Sequence, residues 1–152
     1  MEILTNQIPV NLSTCLQNTL IMEKTDYLFV YGTLRKDYNL KLKNKVAADI
    51  KYLGRAKVNA SLYDIGRYPG AIKEQENDEV IGDVFIVSNP EKVFKILDKY
   101  EGDEFFRKKD KVKLRSGKLV NAWVYWYGST PTGKGKIHYK DYFNYLKHKK
   151  SA

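Results

Sequence analysis

Tyr27-Leu28-Phe29-Val30-Tyr31-Gly32-Thr33-Leu34-Arg35 begins as an aromatic, aliphatic and β-branched run and then breaks at a glycine. Such a run reads as a buried strand. Gly32 tolerates the backbone angles of a tight turn. A strand that stops in a Gly-Thr-Leu turn leaves successive backbone N–H groups unpaired, and such groups can converge on an anion or a polarised carbonyl. Arg35 follows at once with a forked donor suited to a carboxylate. On spacing alone the plainer reading, a strand ending in a turn, stands first.

Upstream, residues 1–25 are polar and mixed, with Pro9 and weak periodicity. They read as an N-terminal extension, with a short helix around Leu12 to Leu20, outside a single domain at 26–150. Downstream, Tyr38 to Ala48 carries spaced apolar residues among lysines and predicts a short helix. Ile50 to Ile65 alternates imperfectly around Gly54, as a bent strand or two strands meeting at a bulge. Gly66 to Gly70 is a turn by composition, and Ala71-Ile72 a brief strand. Val80 to Val87 is the strongest strand signal in the chain.

Ser88-Asn89-Pro90-Glu91 then supplies capping candidates, a proline for the first helical position and an acid for the first turn. The helix it starts is expected to stop at Gly102. Phe105 to Arg115 and Leu119 to Tyr127 read as a hairpin turning at Ser116-Gly117-Lys118. Gly128 to Gly135 reads as a polar loop, and Tyr139 to Lys149 as a closing helix. About six strands in mostly successive order, with few helices, predict an α+β fold: a small mixed, largely antiparallel β-barrel flanked by short helices.

A content of 43% hydrophobic and 30% charged residues fits a globular protein with a real core. The net charge of +9 raises nucleic acid as a partner. The lysines are spread over Lys36 to Lys51, Lys108 to Lys118 and Lys134 to Lys150 without arginine clusters, which reads as a solvated exterior, so no nucleic-acid partner is expected. Cys15 stands alone and is compatible with a reducing compartment. No apolar run approaches the length of a membrane span, and no leader pattern is visible, so the expected location is cytoplasmic. His138 and His148 lack ligand partners at metal spacing, and no metal site is expected. Gly133-Lys134-Gly135-Lys136 resembles part of a phosphate loop but lacks its spacing and its strand-to-helix context.

One carboxylate is placed unlike the rest. With Val93 at zero and about 100° per residue, Ile96, Leu97 and Tyr100 fall in the apolar stripe and Glu101 lands near 80°. Lys92, Lys95, Asp98 and Lys99 project to the opposite side. Glu101 also sits at the helix C-terminus, where the dipole disfavours a negative charge. Burial and dipole both raise its pKa, which suits proton transfer near neutral pH. The alternative is a side chain that swings into solvent beside Gly102.

Tyr31-Gly32-Thr33-Leu34-Arg35, Leu62-Tyr63-Asp64-Ile65-Gly66-Arg67-Tyr68-Pro69-Gly70 and Leu97-Asp98-Lys99-Tyr100-Glu101-Gly102 occur in that order. Together they resemble the three signatures of the gamma-glutamylcyclotransferase-like family, and Ala122-Trp123-Val124-Tyr125 is similar to its late strand. The resemblance implies a small mixed β-barrel flanked by helices. It also implies release of 5-oxoproline from gamma-glutamyl compounds, a small-molecule partner, without metal or organic cofactor. By resemblance, the turn at Tyr31, Gly32, Thr33 and Leu34 holds the substrate and Glu101 is the catalytic acid/base, while Tyr125 and Tyr63 line the pocket. Where that family commonly has Tyr-x-Arg, this chain has Phe105-Phe106-Arg107. The competing reading is a small-molecule binding domain that keeps the pocket without turnover.

Overall fold

The computed structural model describes residues 26–32, 34–35, 40–73, 77–131 and 135–151. The expected N-terminal extension, its helix around Leu12 to Leu20, and Thr33 lie outside the described residues. Five strands close a barrel: β1 (Asp26–Val30), β2 (Ile50–Asn59), β5 (Glu79–Val87), β6 (Phe105–Leu114) and β7 (Leu119–Tyr127), in the order β1-β5-β2-β6-β7. Every seam is antiparallel except β1 with β7, which is parallel and pairs Leu28 with Trp123. A second sheet of β3 (Ser61–Asp64), β4 (Pro69–Ile72) and β8 (Gly135–Ile137) has the order β4-β3-β8.

The period of two in a strand explains how β1 serves two cores. Phe29 and Tyr31 point into the barrel among Val58, Val84, Val112 and Val124. Leu28 and Val30 point out and join Phe85 and Val87 under the helices. Helix α1 (Leu40–Val46, continued by a 3-10 turn to Asp49) contributes Leu42 and Val46 to that outer layer. Helix α2 (Pro90–Glu101) contributes Val93, Phe94 and Leu97, all nearly inaccessible. Helix α3 (Tyr142–Ser151) closes the chain. Among the described residues no helix is long and apolar enough to cross a membrane.

The span from Ile50 to Ile65 divides. Strand β2 carries a register shift between Tyr52 and Gly54, the bulge that Gly54 signals, and past Ala60 the chain leaves the barrel as β3. Strand β8 begins at Gly135, the last residue of the stretch read as a polar loop. Its three residues pair with β3 at Leu62–Ile137 and Tyr63–Lys136, so a partner far away in sequence makes them a strand.

Candidate active site

Where β1 ends, the backbone turns sharply: the Arg35 N–H donates to the Gly32 carbonyl at 3.2 Å. A Cβ at residue 32 would stand 3.0 Å from Cγ and 3.3 Å from Cδ of Pro69, so the turn lies close against the proline ring and a side chain there would force one of the two to give. Proline in turn begins β4, whose Ala71 N–H donates to the Tyr31 hydroxyl at 3.1 Å. That hydroxyl donates to the Tyr125 backbone carbonyl at 2.6 Å. One phenol thus joins three strands from both sheets. Burial, first of all, drives its pKa far up and keeps it a donor.

These elements enclose a cavity of about 330 Å³. Tyr31, Gly32 and Leu34 line it from the turn after β1, and Glu101 from the last position of α2. Tyr125 closes it from β7 and Phe105 from β6. Arg67, Tyr68 and Pro69 complete it from the connection between β3 and β4. Gly102, at φ 75°, ends α2 immediately after the carboxylate, and its N–H donates to the Asp98 carbonyl at 3.1 Å. The helix therefore stops with Glu101 held at its mouth-facing end.

Glu101 is only partly exposed, and burial followed by repulsion from Asp98 pushes its carboxyl up to about 7. Its charge in turn helps to raise Tyr31, Tyr68 and Tyr125. Asp98 behaves otherwise. Burial opposes its ionisation, but the Arg107 guanidinium and the Tyr125 hydroxyl together outweigh that and hold it below the usual carboxylate range. Tyr125 Oη donates to Asp98 Oδ1 at 2.7 Å, and Arg107 reaches both carboxylate oxygens at 3.0 and 3.2 Å. Arg107 lies over the corner formed by the edge-on rings of Phe94 and Trp123, 4.2 and 4.3 Å from their centroids. This clamp fixes the Tyr125 ring that walls the cavity.

Tyr31, Gly32, Leu34, Tyr125 and Glu101, all singled out from the sequence, share this one cavity. Thr33 lies outside the described residues. Tyr63 is not part of the lining: it pairs with Gly70 and Lys136 within the second sheet. Three side chains depart from the sequence reading. Arg35 is 1% exposed, and the carboxylates it meets are the chain's own Asp141 at 2.7 Å and Asp83 at 3.5 Å. It ties the turn to the start of α3, where Asp141 also accepts the Phe143 N–H at 2.8 Å. Asp98 does not simply face away from the barrel but bends back onto Tyr125 and Arg107. Tyr100, placed in the apolar stripe by helical spacing, is 44% exposed at the cavity rim.

The sequence reading gave no site role to Arg67, Tyr68, Pro69 or Phe105. Tyr68 donates to a carboxylate oxygen of Glu104 and packs its ring 5.8 Å from that of Phe105. The turn composition of Gly66 to Gly70 was visible, but its position beside Gly32 is created by the pairing of β3 with β4. Among the described residues no group of three His, Cys, Asp or Glu side chains is arranged to hold a metal ion.

Residues 28–144 match the family model described as gamma-glutamyl cyclotransferase, AIG2-like. The chain is 34% identical over 128 residues to a Methanocaldococcus jannaschii protein bearing the name "Putative gamma-glutamylcyclotransferase", a match that covers 77% of this chain and 98% of the relative. Bacillus subtilis YkqA has a similar structure, with a TM-score of 0.66 at 24% identity over 84% of this chain and 43% of that one. The chain thus spans under half of YkqA. A mouse AIG2-like protein superposes with a TM-score of 0.65 at 20% identity, covering 78% of this chain and 88% of the mouse chain. At these identities the two structures speak to the fold alone.

Proposed function

The chain belongs to the gamma-glutamyl cyclotransferase, AIG2-like family, and from that premise we propose that it releases 5-oxoproline from a gamma-glutamyl amide with Glu101 as the acid/base. The observation that carries this reading is the shared cavity, in which a carboxyl pushed up to about 7 faces the turn after β1. A cavity of about 330 Å³ suits one small molecule.

The chemistry asks for little else. The α-ammonium of the gamma-glutamyl group gives a proton to the Glu101 carboxylate, and the freed amine attacks its own γ-carbonyl. A C–N bond forms in the five-membered ring, the amide C–N bond breaks, and Glu101 returns its proton to the departing nitrogen, which also takes the second proton that the ring nitrogen sheds and leaves as an ammonium. Because the nucleophile and the carbonyl belong to one molecule, holding the chain folded supplies much of the acceleration. Backbone N–H groups of the turn are the proposed donors to the oxygen as it gains charge. Tyr125 and Phe105 form walls that exclude water from the closing ring.

The experiment is a panel of gamma-glutamyl amides incubated with purified protein and read by 5-oxoproline formation. Release by the parent and none by Glu101→Gln supports the reading; equal release by both removes Glu101 from the chemistry. Binding without release by the parent leaves a small-molecule binding domain.

A further inference from the structure

Among the described residues, Arg67 and Glu101 are the cation and the anion that line the cavity. Arg67 sits in the tight connection between β3 and β4, where the Ile65 N–H donates to the Tyr68 carbonyl at 3.3 Å. That connection is anchored on both sides. Asp64 accepts the Gly66 N–H at 3.0 Å and is tied to α3 by Tyr145 Oη at 2.7 Å and Lys149 Nζ at 2.8 Å. Tyr68 is held through its hydroxyl on Glu104 and its ring on Phe105.

The same bonds have a second consequence. Asp64 and Glu104 are the acids bonded to the residues flanking Arg67, Gly66 and Tyr68, and Asp64 also accepts from Lys149. Among the described residues no carboxylate pairs with Arg67. Arg35, in contrast, spends its guanidinium on Asp141 and Asp83. Among the described residues Arg67 is thus an exposed guanidinium without a carboxylate partner at the wall of a cavity whose one lining carboxyl is Glu101.

Resting on the cyclotransferase reading, we propose that Arg67 forms the carboxylate subsite of this cavity and holds the α-carboxylate of the gamma-glutamyl group. The α-carbon of such a ligand carries one ammonium and one carboxylate. Glu101 takes the first, and a planar guanidinium binds the second through two parallel N–H donors. Holding both substituents fixes the rotation of that carbon, which directs the amine toward the γ-carbonyl. Arg67 thereby distinguishes a gamma-amide that carries an α-carboxylate from a simple gamma-amino amide.

The test is equilibrium binding by calorimetry in the Glu101→Gln background, where turnover does not intrude. Gamma-glutamyl ethylamide has one carboxylate, and 4-aminobutyryl ethylamide has none. The expected result is about tenfold tighter binding of the former. Adding Arg67→Gln abolishes that difference, and adding Arg67→Lys keeps part of it. Arg67 lies on an exposed turn, so these variants leave the core untouched. Equal affinity for the two amides, no binding of either, or a difference that survives Arg67→Gln overturns the proposal. So does Arg67-dependent binding of 4-aminobutyryl-alanine, which would move the subsite to the leaving group. Carboxylate-dependent binding together with no 5-oxoproline release by the parent keeps this subsite and removes the cyclotransferase reading.

Discussion

Asp98 and Glu101 stand one turn apart on α2, and their carboxyls are driven in opposite directions. Asp98 is held ionised by Arg107 and the Tyr125 hydroxyl, while Glu101 is pushed up by burial and by the charge on Asp98. One acid fixes a wall of the cavity and the other is left poised to exchange a proton. A pair separated in this manner is a common arrangement in sites that need a proton acceptor at neutral pH.

The pH–rate profile follows from this pair. In the proposed mechanism Glu101 must be ionised to take the proton, so kcat/KM is expected to rise through an apparent pKa of about 7. Asp98→Asn removes a negative charge that raises Glu101, so the rising limb moves to lower pH by roughly half a unit to one unit. Initial rates between pH 5 and 9 for parent and variant check this. Superimposable limbs would show that the two acids are not coupled.

Stability should show the same proton. In the folded chain Glu101 keeps it up to about 7, while in the unfolded chain it leaves near the ordinary value of 4.5. Between those values the folded state binds more protons, so the Glu101 contribution falls as pH rises and is fully lost above 7. Glu101→Gln removes this penalty and is expected to gain about 2–3 kcal/mol at pH 8 and little at pH 4. Urea denaturation of both proteins at the two pH values measures it. A constant difference between them at both values would contradict the burial assigned to Glu101.

The sequence made α2 legible because its boundaries are local: Pro90 starts it and Gly102 ends it, so the position of Glu101 follows from counting turns. Strands β1 and β5 are equally readable from runs of apolar residues, and the β6–β7 hairpin from its Ser116-Gly117-Lys118 turn. What could not be read depends on distant partners. Strand β8 exists through pairing with β3, and the Arg35 partners Asp83 and Asp141 lie far along the chain. Helical spacing treats a side chain as a spoke, so it missed that Asp98 reaches back to Tyr125 and that Tyr100 stands at a rim where the stripe meets a cavity.

Tyr31→Phe tests the junction of the two sheets. The substitution keeps the ring but removes the donor to the Tyr125 carbonyl and the acceptor for the Ala71 N–H, both buried. Leaving such groups unpaired costs about 1–3 kcal/mol, and a loss of that size in urea denaturation is expected. A variant as stable as the parent would mean that neither bond contributes.

Arg35 should prove structural. Its guanidinium is buried with Asp83 and Asp141 and lies 4.3 Å over the Phe143 ring. Removing one partner of such a group leaves charge uncompensated, and Arg35→Met is expected to cost about 3–5 kcal/mol. Thermal or urea denaturation reads this directly. A loss of ligand affinity with unchanged stability would instead return Arg35 to the binding surface.

Gly32→Ala probes the turn itself. The added methyl would meet the Pro69 ring at 3.0 and 3.3 Å, distances that force the proline or the turn to give by a few tenths of an ångström. Pro69 is buried at the start of β4, so the turn is the part expected to yield. In the proposed mechanism its backbone donors then move away from the γ-carbonyl, and positioning errors of this kind are costly when the reaction depends on a near-attack geometry. The expected outcome is a loss of about tenfold or more in kcat/KM, carried mainly by kcat, with little change in stability. Kinetics that match the parent would place the substrate carbonyl elsewhere in the cavity and remove the turn from the proposed mechanism.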